Sequence, residues 1–281
     1  MKNTHIEVVT FASLLPGPKV LVFGSIHGSE PCGYQAITKC IQEIRSGKHS
    51  ILSGSITFVP MCNPRAFQKN TAYIEENLNR VFKKHKVADT YEKKLANILT
   101  NLVDTHDVIL DLHSITSQGK PFVFLDYAEQ LPMAKILGLP NAVTGWTEAY
   151  ATQSSKSSDT IKYAHSKGKE CILVECGQHA DPKAKDIAYK AIVNLLAYKN
   201  SIEKRNTQLP KLEITELKKI YFKEHNDSHF IKQWKHLEFI KKGKDITKGE
   251  HPIYAPFDCY ILLPSPQAKV GEEWFYLGVK K

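Results

Sequence analysis

No run of about 20 apolar residues occurs in the sequence, which excludes a membrane-spanning helix of ordinary length. The start, Met1-Lys2-Asn3-Thr4-His5-Ile6-Glu7, lacks the apolar core of a secretory signal. Six cysteines, at 32, 40, 62, 171, 176 and 259, form no Cys-x-x-Cys pair, and they read as reduced thiols filling the core of a cytoplasmic protein. There is no internal repeat and no glycine-rich phosphate loop. A long basic run is also missing. The formal charge is +9, but the lysines are dispersed over predicted helix faces and the last third of the chain, as on solvated surfaces. That argues against a nucleic-acid binder, whose affinity would fall steeply with salt, and leaves a surface able to attract small anionic substrates. The expected partner is thus a small carboxylate-bearing molecule, with no nucleic acid and no membrane; a homo-oligomer is left open.

What is present is enough apolar sequence in 281 residues for one large domain or two unequal ones. Val20-Leu21-Val22-Phe23 is a short uncharged run, the mark of a strand buried on both faces. It stops at Gly24, and His27 and Glu30 follow on a turn that Gly28 makes pliable, so both side chains can converge on one ion. The carboxyl ends of strands are where open α/β sheets bind ligands. A second apolar run, Val108 to Leu112, ends at His113, and a third, Cys171 to Val174, ends at Glu175. Two histidines and a glutamate make a zinc set with one open tetrahedral position, and a further carboxylate can take a proton from water there.

Five pieces in order carry a resemblance: His27-Gly28-Ser29-Glu30, Asn63-Pro64-Arg65-Ala66, Asn77-Leu78-Asn79-Arg80, Asp111-Leu112-His113 and Glu175-Cys176-Gly177. Together they resemble the succinylglutamate desuccinylase and aspartoacylase family, relatives of the zinc carboxypeptidases. The resemblance implies an α/β fold with a zinc-carboxypeptidase-like mixed sheet flanked by helices, and a small C-terminal β domain whose closing strands would include Trp274-Phe275-Tyr276-Leu277. It implies a zinc-dependent deacylase in which His27, Glu30 and His113 hold the metal, Glu175 is the general base, and Asn79 with Arg80 grips the carboxylate of an N-acyl amino acid. Carboxypeptidase action on peptides or peptidoglycan fragments, and a zinc-binding homologue without activity, are the rival readings. The chain departs from the family pattern at Ala72, where an arginine that polarises the scissile carbonyl is usual, and at Asn77, where an aspartate is usual. An upstream substrate-binding arginine is also missing, the local stretch being Ile161-Lys162-Tyr163-Ala164-His165. Tyr163, Lys162 and His165 are the candidates to replace an arginine, Tyr163 being carried as a substrate-binding residue.

Along the chain, residues 5–11 alternate as an edge strand, and Pro31 opens a helix whose apolar positions 36, 37, 40, 41 and 44 share a face. Ser55 to Met61 reads as a strand feeding a loop at Asn63-Pro64-Arg65, with Arg65 in a structural role. Tyr91 to Val103 is an amphipathic helix, and Asp111 leaves the same face of its strand as His113, placed either to orient it or to form a buried ion pair. Phe122 to Leu125 is a strand, Ala128 to Leu137 a helix broken by Pro132, and Thr144 to Lys169 a polar stretch that reads as a surface loop or lid. His179 is expected on the rim of the site. Asp181-Pro182 opens a helix to about Tyr198. Past residue 205 short strands replace the helical pattern, dividing the chain into a zinc hydrolase domain, 1–204, and a small β domain, 205–281.

Overall fold

Strand pairing follows the apolar runs. In the computed structural model, which describes residues 5–151, 158–204 and 208–281, Val9–Ala12 forms β1, Lys19–Gly24 β2, Ser55–Val59 β3 and Val108–Ile115 β4. Next come Phe122–Phe124 (β5), Asn141–Thr144 (β6), Glu170–Gln178 (β7), Glu213–Phe222 (β8) and His229–Phe230 (β9). The last four are Glu238–Ile240 (β10), Thr247–Lys248 (β11), Cys259–Leu262 (β12) and Glu273–Lys280 (β13). All but β9 and β11 join one sheet of 11 strands, in the order β1-β3-β2-β4-β7-β5-β6-β8-β13-β12-β10. Its centre, β3-β2-β4-β7, is parallel. Strand β1 is an antiparallel edge, as its alternating pattern requires.

Helices cover both faces of that centre. Pro31–Arg45 (α1) starts with proline in its first turn, where the missing N–H costs nothing. With Leu131–Ile136 (α4) and Ala184–Tyr198 (α7) it buries Ile37, Cys40, Ala188 and Ile192 against Val20, Val22, Leu110 and Val174. Tyr91–Thr105 (α3), capped by Thr90, and Thr160–Ser166 (α6), capped by Asp159, lie on the other face over Leu21, Phe23, Ile109 and Leu173. The alternation of these two sets along β2 and β4 is the period-two signature of strands covered on both sides. Asn63 caps a short helix, Pro64–Lys69 (α2), where a loop was expected, since its side chain accepts the Ala66 N–H. The polar stretch after Thr144 likewise holds helices, Trp146–Ala151 (α5) and α6; the serine-rich part of the expected lid, 152–157, lies outside the described residues.

The sheet does not stop at residue 205. Strand β8 pairs parallel to β6, and β13 pairs antiparallel to β8 across nearly its whole length. The C-terminal strands have their own core around Trp234, Ile261, Trp274 and Phe275. A separate cluster, with Phe122, Val143 and Trp146 from one side and Leu217, Leu262 and Tyr276 from the other, joins that region to the rest. Among the described residues no helix is long and apolar enough to cross a membrane.

Candidate functional site

Four side chains expected from sequence meet at the carboxyl ends of β2, β4 and β7. Strand β2 gives way to a tight turn in which Ser25 has a positive φ of 49°, so the turn is not bent by Gly28. Gly28 is there for closeness: a Cβ on it would lie 2.1 Å from the Ala66 carbonyl carbon. Glu30 is the N-cap residue of α1 but its side chain makes no capping bond, leaving the carboxylate to turn toward the imidazoles. Its Oε1 lies 2.8 Å from His27 Nδ1 and its Oε2 3.0 Å from His113 Nδ1. The backbone N–H of Ser114 also donates to Oε2, at 2.9 Å. Ligand atoms of His27, Glu30 and His113 all lie within 4.8 Å of one another.

The far nitrogen of each imidazole faces an oxygen. His27 Nε2 is 3.0 Å from Asn77 Oδ1, and His113 Nε2 is 2.9 Å from Asp111 Oδ2, although that approach is out of line with the ring N–H and leaves the nitrogen without a full hydrogen bond. Thr160 Oγ1 donates a short hydrogen bond to the same Asp111 oxygen. This is the pattern of metal-bound histidines, with one nitrogen toward the ion and the other fixed by an oxygen. Asn77, at the position where the family usually has an aspartate, meets His27. The donor set of two imidazoles and one carboxylate, in reach of a single ion, fits a divalent metal of the zinc type.

Glu175 faces this cluster from β7, where it is in register with His113 on β4. It is only 8% exposed, lines the cavity, and its Oε2 has no hydrogen-bond partner. Burial, then the charge of Glu30, pushes the Glu175 carboxyl well above the usual carboxylate range. Glu30 moves the other way. Burial would raise it, but the charges and hydrogen bonds of His27 and His113 outweigh that and hold it far below its ordinary value. His179 sits on the rim, its Nδ1 2.8 Å from Ser114 Oγ, and burial lowers its pKa.

The cluster opens into a cavity of 840 Å³. Asn79 and Arg80 line it, from a 3-10 turn at Leu78–Arg80. Asn79 Oδ1 accepts the Thr160 N–H at 3.0 Å, and Arg80 Nη2 lies 3.4 Å from Glu273 Oε2. Ala72 also lines the cavity and offers no side-chain donor. Tyr163 is not brought here and is withdrawn as a substrate contact: its hydroxyl donates to Asp104 at 2.9 Å and its ring packs edge-on against Phe82, within the core under α3. The alternation along α6 explains this, since Ile161 and Lys162 take the cavity side. His165 stacks on Tyr127 and pairs with Glu129, away from the metal cluster. Arg65 lies over the Tyr91 ring, 4.5 Å from its centroid, in the structural role expected of it.

Several lining residues had no sequence signal. Glu273 and Tyr276 come from β13, and Tyr150 from α5; the two hydroxyls donate to Glu273 at 2.6 and 2.7 Å. Pairing of β13 with β8, beside β6, carries Glu273 and Tyr276 to a site built from residues far earlier in the chain.

The family model for the succinylglutamate desuccinylase/aspartoacylase catalytic domain matches residues 16–198. The chain belongs to this family. Its curated relatives include the aspartoacylase of Mus musculus, 32% identical over 114 residues, a match that spans 36% of the chain and 36% of the mouse protein. They also include the N-alpha-acetyl-L-2,4-diaminobutyric acid deacetylase of Halomonas elongata, 28% identical over 86% of the chain and 71% of that protein. Among solved structures, a succinylglutamate desuccinylase/aspartoacylase from Rhodobacter sphaeroides superposes with a TM-score of 0.79 at 17% identity, covering 98% of the chain and 88% of that protein. The product-bound ectoine utilization protein EutE (DoeB) from Ruegeria pomeroyi gives 0.78 at 20% identity over 97% and 88%. The fold these structures share, a mixed α/β zinc-carboxypeptidase-like architecture, is the one expected from the sequence.

Proposed function

We propose that the chain is a zinc-dependent deacylase that hydrolyses the amide bond of a small N-acyl amino acid. The observation that carries the reading is Glu175: a buried carboxyl with an unpartnered oxygen, in register with His113 and facing an open His27-Glu30-His113 set. His27, Glu30 and His113 would hold the ion, which when bound supplies a Lewis acid that polarises the acyl carbonyl and acidifies water beside it. Glu175 takes the proton from that water and returns it to the leaving nitrogen; its raised pKa suits the second transfer. Glu30, kept ionised, balances the positive charge. Asn79 and Arg80 orient the amino-acid carboxylate, Arg80 through the two parallel donors of its guanidinium. His179, on the rim beside Ser114 and with its pKa lowered by burial, contacts the bound substrate. The six cysteines, all free and buried, suit a reducing cytoplasmic setting.

Metal content of the purified protein, measured beside His113→Ala, tests the first half: about one zinc per chain, lost in the variant, is expected. Hydrolysis of a panel of N-acyl amino acids by the zinc-loaded protein tests the second. Zinc uptake without turnover of any of them would remove the deacylase reading and leave a metal-binding homologue.

A further inference from the structure

Away from the metal cluster the cavity changes character. Glu175 and Leu173 lie on one face of β7, about 7 Å apart along the strand. Antiparallel β5 places Phe124 opposite Leu173, and Asp126 follows two residues beyond. Phe124 stacks on Trp146 with ring centroids 4.5 Å apart, so the passage from Glu175 toward Asp126 has apolar walls. At its far end Asp126 and Asp159 both line the cavity. They are fixed in place: Asp126 accepts the Trp146 N–H at 2.9 Å and the Thr147 hydroxyl at 3.0 Å, and Asp159 accepts the Lys162 N–H at 2.7 Å.

The charge balance there is negative. Four lining carboxylates beyond the metal cluster, Asp126, Asp159, Glu272 and Glu273, face two lining cations, Arg80 and Lys162. Arg80 is already engaged by Glu273 and lies in the field of Asp159. A second substrate carboxylate placed among them would be desolvated against like charge, whereas an ammonium would find acceptors with spare lone pairs. Burial has already pushed both aspartate carboxyls upward, at Asp159 against the lowering charges of Arg80 and Lys162. That the space is a ligand space rests on separate ground, the unpartnered Oε2 of Glu175, a residue only 8% exposed, at its other end.

Resting on the deacylase reading above, we propose that the amine half of the substrate is an amino acid whose side chain ends in a cation, with Asp126 and Asp159 as its specificity-determining residues. The methylenes run along Phe124, Leu173 and Trp146, and the ammonium reaches the two aspartates. This sets the chain apart from enzymes selecting a dicarboxylic amine half.

The test compares kcat/KM of the zinc-loaded protein for N-acetyl-L-ornithine, its uncharged isostere N-acetyl-L-norvaline, and N-acetyl-L-glutamate. The ornithine compound should exceed norvaline by about tenfold or more and glutamate by a larger factor. Asp126→Asn and Asp159→Asn keep an oxygen for the helix N–H groups, so the fold should survive, and each should pull the ornithine-to-norvaline ratio toward one. If both aspartates only cap helices, the ratio will be the same in wild type and both variants, which overturns the proposal. Turnover of norvaline with glutamate equal to or better than ornithine overturns it too, while leaving the deacylase reading intact. Failure of all three compounds in zinc-loaded protein overturns both.

Discussion

Asp111 and His113 stand two residues apart on β4, and Asp111 Oδ2 lies 2.9 Å from His113 Nε2, on the side of the ring away from Glu30. A buried carboxylate behind a ligand imidazole fixes its tautomer and makes it a better donor. Asp111→Asn should therefore weaken zinc binding by about 10- to 100-fold, read by competition with a chelator. Unchanged affinity would mean that Asp111 serves only to anchor Thr160.

Glu175→Gln keeps shape and removes the proton acceptor. Zinc content should stay at wild-type level while kcat falls by about 10²–10⁴. A variant as active as wild type would take Glu175 out of the chemistry.

Gly28→Ala puts a methyl carbon where the Ala66–Phe67 peptide already is, 2.1 to 2.5 Å from its atoms. Backbone on both sides must move, and the segment that moves carries His27 and Glu30. Loss of a few kcal/mol of stability together with weakened zinc uptake is expected. Denaturant unfolding and metal analysis of the same sample check both.

His236 is buried, stacked on Phe122, with Nδ1 accepting the Leu263 N–H at 3.0 Å and Nε2 unpartnered. Burial lowers its pKa from 6.5 to about 3. The folded protein keeps this ring neutral, while the unfolded chain takes up a proton below about pH 6.5. The associated stability is complete above that pH and is lost as pH falls, by about 1.4 kcal/mol per unit until the folded pKa is reached. Urea midpoints between pH 7 and pH 5 should drop less in His236→Asn than in wild type; equal slopes would place the acid sensitivity elsewhere.

The grouping of His27, Glu30, His113 and Glu175 was legible because each sits at the end of an apolar run, and the sequence separation inside each run is short. His27 to Glu30 spans three residues, and Glu175 ends its strand as His113 ends its own. Register across the sheet then aligned them. Glu273, Tyr276, Tyr150 and Asp126 were not legible. Their presence in the cavity depends on which strands pair over long separations, and nothing local to those residues encodes that β13 lies beside β8 or that β5 runs antiparallel to β7. Tyr163 was misplaced for a smaller reason: α6 begins at Thr160, and its turn presents Lys162 and Ile161 to the cavity while Tyr163 faces the core. The helices α2 and α5 were missed because each is 6 residues long, too short for a periodic pattern.

The order of the parts along the chain has a consequence for synthesis. His27, Glu30 and His113 are all present once β4 has left the ribosome, whereas the wall bearing Glu273 and Tyr276 belongs to the thirteenth strand. A nascent chain can therefore capture its metal well before it has a complete substrate cavity. Ribosome-bound chains ending between β7 and β8 would then be expected to hold zinc while still lacking the wall that bears Glu273 and Tyr276, with metallation and completion of the cavity arriving as separate events of translation.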